Sequence, residues 1–173
     1  MAAAAHKEEV IGKLNVRVVR AACLVTADPL TGTSDPYVVL SYGSQKVNTS
    51  VHKKKSNPIW NEVLQLSVTN PTMPVKLEVF DADKFTADDN MGVAEFNLTD
   101  IHDAAKLDLK HVTDGAKIKT IYPLGVNYLG VESHVSWRNG KVVQDIILKL
   151  AKAKTGMIVV LQLEWVHVPG VTL

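Results

Sequence analysis

Cysteine is almost missing from this chain: Cys23 stands alone among 173 residues. A lone thiol excludes an intramolecular disulfide and agrees with a reducing compartment. Beside a strand-like pattern it reads as a small buried hydrophobe. Arginine is scarce as well, confined to Arg17, Arg20 and Arg138, and aromatic residues make up only 6% of the chain. With no aromatic platform among its lysines, the chain lacks what nucleic acid would stack on, and nucleic acid is not expected as a partner. No apolar run approaches the roughly eighteen residues of a membrane-crossing helix. Residues 1–9 lack the apolar core of a signal peptide, and Ala2 stands where myristoylation requires glycine. Gly-x-Ser-x-Gly, the P-loop and Cys/His metal spacings are all absent, so no enzyme active site is expected.

Acidic residues, by contrast, are concentrated. Asp81, Asp83, Asp88 and Asp89 fall within nine residues, directly after an alternating segment with Val75, Leu77 and Val79 on one face. A second acidic loop, from Asp28 to Asp35, also borders a strand pattern. Like charges packed this closely repel one another unless a cation sits among them, and an oxygen-only donor set suits a hard cation such as calcium, Ca2+. The formal net charge of +1 hides this segregation, because lysines gather at Lys46 and at Lys53, Lys54 and Lys55.

Taken in order, Leu14–Val18 alternates as a half-buried strand. Tyr37–Tyr42 follows, then a turn at Gly43-Ser44 and a strand predicted over Lys46–His52. Further strands are expected over Val63–Val68, Val75–Val79 and Met91–Leu98. Thr99 to about His111 changes to a helical period with Asp100 placed to cap it. Ile118–Tyr122 is strand-like again. Asn139-Gly140 between strand formers predicts a tight hairpin. Ile146–Leu150 and Met157–Val166 complete the pattern. Turn signals every eight to twelve residues point to an all-β antiparallel sandwich with one helical element.

Four motifs then occur in a fixed order: Ser34-Asp35-Pro36-Tyr37-Val38, Asn57-Pro58-Ile59-Trp60-Asn61-Glu62, Val79-Phe80-Asp81-Ala82-Asp83 and Asp89-Asn90-Met91-Gly92. In this the chain resembles a C2 domain, over roughly 13–98 and 142–166. The resemblance implies an eight-stranded antiparallel C2 β-sandwich of the permuted, type II topology. The segment at about 99–141 resembles the helix-plus-hairpin insert of the small plant C2-domain abscisic-acid-related proteins, also described as C2 GTPase-activating proteins. On that reading 1–12 is a flexible tail, 13–166 a single C2 domain and 167–173 a C-terminal tail.

The same resemblance implies the ligands of a calcium site. They are Asp28 and Asp35 from the first loop, Asp81, Asp83 and Asp89 from the second, and the backbone carbonyls of Ala27 and Ala82, with Thr86 assisting. Asp89 is chosen over Asp88 because it precedes Gly92 by three residues, as in the family pattern. Asp28 and Asp35 lie farther apart than is usual for that loop. Lys46, His52, Lys53, Lys54 and Lys55 match the position where C2 domains carry a basic face on a strand, which attracts anionic phospholipid. Leu30 and Phe85 fall at the predicted tips of the acidic loops, where apolar side chains enter a bilayer interface. The implied protein is cytoplasmic and moves to the plasma membrane when calcium binds, with a nuclear fraction as well. It recruits a client, for which the family implies abscisic acid receptors. The competing expectation is a GTPase-activating regulator of a G protein, for which Arg138 is the best-placed arginine.

Overall fold

The computed structural model describes residues 7–22, 34–153 and 156–173. Among these residues the elements run β1 (Gly12–Ala22), β2 (Pro36–Tyr42), β3 (Gln45–Asn48), β4 (Ile59–Val68), β5 (Val75–Asp81) and β6 (Asp89–Phe96). They continue with α1 (Thr99–Ala105), β7 (Lys117–Ile121), β8 (Ser133–Arg138), β9 (Lys141–Lys149) and β10 (Ile158–Val166). Two antiparallel sheets face each other, one ordered β4-β1-β10-β9-β8-β7 and the other β3-β2-β5-β6. The first and last strands lie side by side, with Leu14 opposite Trp165 and Val18 opposite Leu161.

Alternation explains why these strands pack as they do. Leu14, Val16 and Val18 are fully buried while Lys13, Asn15 and Arg17 turn outward. Val159, Leu161, Leu163 and Trp165 do the same on β10, and Val75, Leu77 and Val79 oppose them from β5. Each such aliphatic side chain contributes about 1.5–3 kcal/mol when fully buried. Gly12 sits where a Cβ would run into the Trp165 ring at 2.2 Å, which is why the start of β1 carries no side chain.

The eight strands expected of the sandwich are present, and β7 and β8 of the insert extend the larger sheet beyond β9, which makes ten strands among the described residues. The predicted hairpin is there: Arg138 pairs with Lys141, and Asn139 and Gly140 both have positive φ, 51° and 72°. Its second strand runs on without a break through Ile146 to Lys149, so β9 pairs with β8 on one side and β10 on the other.

The helix is shorter than its periodicity suggested. It ends at Ala105, and Leu109 is buried by a turn instead, with the Val112 N–H donating to the Leu109 carbonyl. Asp100 is not its cap: Leu98 is the N-cap residue, and the Asp100 carboxylate pairs with Lys119 on β7. The predicted strand over Lys46–His52 also stops early, at Asn48. There the Thr49 hydroxyl accepts a hydrogen bond from the Val38 N–H at 2.9 Å, so a side chain displaces the regular ladder.

Candidate metal and membrane site

Asp35, where the first acidic loop ends, meets the second acidic loop at one end of the sandwich. β5 delivers Asp81 and β6 begins at Asp89, directly opposite it, while Pro36 at the start of β2 pairs with Asp81 from the other side. A bulge sets this end: Val79 opposes Gly92 but Phe80 opposes Asn90, leaving Met91 as the extra residue. Gly92 is required by packing, since a Cβ there would lie 2.9 Å from the Leu150 Cβ.

The Asp35 N–H donates to Asp81 Oδ1 at 2.7 Å, and the Ala82 N–H donates to the Asp35 carbonyl at 2.9 Å. These two bonds lock the end of the first acidic loop onto the start of the second. Burial raises the Asp81 carboxyl above the ordinary carboxylate range, and the charges of Asp35, Asp83 and Asp89 raise it further; the Asp35 N–H works in the opposite sense. Four carboxylates therefore share one local field. Asp83 and Asp89 are exposed, and Asp35 and Asp81 are half-buried.

Among the described residues, no three carboxylate, imidazole or thiol groups close into a metal-holding cluster. Asp28 and Ala27, two of the expected ligands, lie outside the described residues, as do Leu30 and Cys23. The donor chemistry itself fits a hard cation, being all oxygen. One oxygen of Asp81 holds the Asp35 N–H and one of Asp35 holds the Lys54 N–H at 2.8 Å. A carboxylate has two oxygens, so neither bond excludes a metal.

The lysines arrive at this same end by way of a turn. Strand β3 stops at Asn48, and the chain reaches β4 through Lys53, Lys54 and Lys55, all exposed, with Lys54 at φ 57°. Lys55 donates its N–H to the Ser34 carbonyl at 2.8 Å. The basic triplet is thus hydrogen-bonded to the end of the acidic loop and does not lie on a strand face. The Trp60-Asn61-Glu62 motif holds the segment in place: Trp60 Nε1 donates to the Ser50 carbonyl at 3.0 Å, and Glu62 accepts from the Ser50 N–H at 3.0 Å. His52 is half-buried against the Trp60 ring, with centroids 5.7 Å apart. Lys46 sits apart, opposite Ser41 near the β2–β3 turn. Six residues, 47–52, separate it from Lys53, and only the first two of them belong to β3. Phe85 is 96% exposed at the tip of its loop, with Thr86 exposed beside it.

Two residues outside the expected ligand set complete the site. The Tyr37 hydroxyl donates to Asp88 Oδ2 at 2.5 Å, and the Asp83 N–H donates to Asp88 Oδ1 at 2.9 Å. Asp88 thereby ties the acidic loop to β2. Its carboxyl is lowered chiefly by the Asp83 N–H, and the Tyr37 hydroxyl is pushed up to about 12 chiefly by its bond to Asp88. The Tyr37 ring also stacks on Phe80 at 5.6 Å.

The C2 domain family matches residues 12–117. Protein C2-DOMAIN ABA-RELATED 8 of Arabidopsis thaliana is 39% identical over 163 residues, covering 94% of this chain and 97% of that protein. The chain belongs to the plant C2-domain ABA-related family. GTPase activating protein 1 of Oryza sativa subsp. japonica is a further relative, 42% identical over 160 residues, covering 92% of this chain and 94% of its own length. Among solved structures, the C2A domain of plant Extended Synaptotagmin 1 superposes with a TM-score of 0.61 at 22% identity, covering 92% of this chain and 98% of that one, which establishes the fold alone. The part of the chain that the family model matches is a single C2 domain. C2 domains typically bind phospholipids, often in a calcium-dependent way. No helix among the described residues is long and apolar enough to cross a membrane.

Proposed function

We propose that this family member binds anionic phospholipid in a calcium-dependent manner and carries a protein client to the plasma membrane. The observation that carries the reading is the meeting of Asp35, Asp81, Asp83 and Asp89 at one end of the sandwich, with the Lys53–Lys55 turn hydrogen-bonded beside them. Those carboxylates, with Asp28 and the carbonyls of Ala27 and Ala82, would hold the ion. Calcium supplies positive charge there that cancels the mutual repulsion of the acids and leaves coordination positions for lipid phosphate. The lysines add attraction worth about 1 kcal/mol each near an anionic surface. Phe85, already exposed, offers an apolar tip for the interface.

Titration calorimetry with and without short-chain phosphatidylserine tests the shared site. Calcium alone should bind weakly, on the order of 10⁻⁵–10⁻³ M, because the ligands come from two loops that leave positions open. Lipid should tighten it, since a lipid that prefers the loaded state must raise calcium affinity reciprocally. Equal affinities in the two titrations would remove shared coordination. For the client, the family resemblance implies abscisic acid receptors, and capture of such a receptor on calcium-loaded vesicles is the corresponding assay.

A second reading follows from the name of the rice relative, GTPase activating protein 1. Activators of this kind supply an arginine to the nucleotide. Here Arg138 is held by Asp145 at 2.8 Å and Arg17 by Asn61 at 3.2 Å, while Arg20 is exposed. Arg138 would have to leave Asp145 to act. Nucleotide turnover by a candidate G protein, with Arg138→Ala as control, separates this reading from membrane recruitment.

A further inference from the structure

Strand β6 is the outermost strand of the smaller sheet, and its free edge is only partly used. At Val93 the edge is paired: the Val93 N–H donates to the Ala151 carbonyl at 2.9 Å, and the Ala151 N–H donates to the Val93 carbonyl at 2.7 Å. Both backbone groups of Val93 therefore point away from β5. Val93 stands opposite Glu78 and Glu95 opposite Lys76, with no register shift between them. By the alternation of an antiparallel ladder, the N–H and C=O of Glu95 point away from β5 as well. Nothing among the described residues takes them. The chain that pairs with Val93 has left the edge there, since Lys149, two residues before Ala151, donates its N–H to the Tyr128 carbonyl at 2.7 Å.

Beside that edge lies a half-enclosed cavity of about 170 Å³. Glu95 and Phe96 line it from β6, Ile146 and Leu148 from β9, and Val126, 90% exposed, stands at its mouth. A cavity of roughly 150 Å³ admits benzene, so this one has room for a single Leu-sized side chain. The Glu95 side chain is exposed and makes no ion pair among the described residues, because Lys76 opposite it is held by Glu78 at 3.3 Å. An accessible strand edge, an apolar cavity and an unpaired carboxylate thus adjoin one another.

We infer that the β6 edge takes up an extended peptide segment of a partner protein, antiparallel to β6, with one of its residues exchanging both backbone hydrogen bonds with Glu95. A free N–H and C=O on one strand residue are what one residue of an antiparallel strand satisfies. Strand pairing then fixes the side chains. The residue opposite Glu95 shares its outer face, so a Lys or Arg there meets the carboxylate. The residue before it stands opposite Phe96, faces inward as Phe96 does, and fills the cavity when it is aliphatic. Ala151 already holds the place opposite Val93, so the segment extends toward Asn97. The motif that fits is an aliphatic residue followed directly by a basic one. The inference does not depend on the calcium site.

The test is amide NMR of the full chain in chelator, titrated with acetyl-Thr-Thr-Leu-Lys-Thr-amide. In the free chain the Glu95 amide should exchange with solvent much faster than those of Ala94 and Phe96, whose N–H groups bond to β5. The peptide should slow that exchange and shift the Glu95, Phe96 and Leu148 amides. Asn in place of the probe's Leu should weaken binding about tenfold or more, through the lost aliphatic burial. Glu in place of its Lys should weaken binding about two- to fivefold, and Glu95→Gln should remove that preference. A methyl group on the backbone nitrogen of the probe's Lys deletes the donor to the Glu95 carbonyl and should abolish binding. The proposal is overturned if the Glu95 amide of the free chain exchanges as slowly as that of Phe96, or if the N-methylated probe binds as well as its parent. Acetyl-leucinamide binding as tightly as the full probe would make this a small-amide site and overturn the strand pairing. Unshifted Glu95, Phe96 and Leu148 amides throughout the titration would overturn it as well.

Discussion

Replacing Asp81 separates its charge from its hydrogen bond. Its Oδ1 accepts the Asp35 N–H at 2.7 Å in a half-buried position, while its charge lies in the field of Asp35, Asp83 and Asp89. Asp81→Asn keeps an acceptor for that N–H and removes the charge. Asp81→Ala removes both, leaving the Asp35 N–H without its partner. A net hydrogen bond of this kind is worth about 0.5–1.5 kcal/mol. The relief of repulsion is common to both variants, so it cancels in the comparison between them. For a chain of this length 1 kcal/mol moves the melting temperature by about 2–4 °C. In chelator at neutral pH, Asp81→Asn should melt at or above the native protein, and Asp81→Ala about 1–6 °C below Asp81→Asn. Thermal melts followed by circular dichroism give the comparison. If Asp81→Ala equals Asp81→Asn, the bond to Asp35 carries no weight. If Asp81→Asn melts clearly below the native protein, the acids are structural and do not repel one another.

Four further outcomes follow from the structure. Neutralising Lys53, Lys54 and Lys55 should weaken liposome binding at low salt and hardly at 1 M, where the Debye length is about 3 Å; Phe85→Ala should cost a similar amount at every salt concentration, approaching about 1.5–3 kcal/mol, and no loss at any salt would mean that the loop does not insert. Tyr37→Phe keeps the stack on Phe80 but deletes the bond to Asp88, so hydrogen exchange at the Asp83 amide should quicken with little change in melting temperature; unchanged exchange would show that the Tyr37–Asp88 bond does not hold the loop. His102, packed edge-on against Trp165 at 5.3 Å, is lowered by burial first and then by Lys106, so the unfolded chain takes up its proton first as pH falls; stability should therefore drop as pH falls below 6.5 and level off below the folded value, and His102→Phe should flatten that slope in melts from pH 7.5 to 5.

What the sequence made legible was local. Asn139-Gly140 announces a turn that demands two positive φ values, and the alternation of Leu14, Val16 and Val18 announces one buried face; both appear as read. The ordered motifs also placed Asp35, Asp81, Asp83 and Asp89 at one end. The contacts that were missed join residues far apart in the chain. Asp100 was expected as a cap because it precedes a helix, yet its partner Lys119 belongs to a strand nineteen residues on. Asp88 was passed over by spacing, and its bond to Tyr37 spans fifty-one residues. Gln144 and Asp145 interrupt the apolar pattern of β9, so the strand looked broken; the structure shows a continuous strand in which Gln144 faces inward to Ser133. The basic triplet was expected on a strand face, but the Thr49 side chain ends that strand first.

The most direct test of calcium-dependent lipid binding is sedimentation with anionic liposomes, in calcium and in chelator, for the native chain and for Asp81→Asn. The native protein should pellet with phosphatidylserine vesicles only when calcium is present, and should remain in the supernatant with neutral phosphatidylcholine vesicles. Asp81→Asn should remain in the supernatant throughout while staying folded. Equal sedimentation in calcium and chelator, or full binding by Asp81→Asn, would contradict a role for these carboxylates in bringing the protein to a membrane.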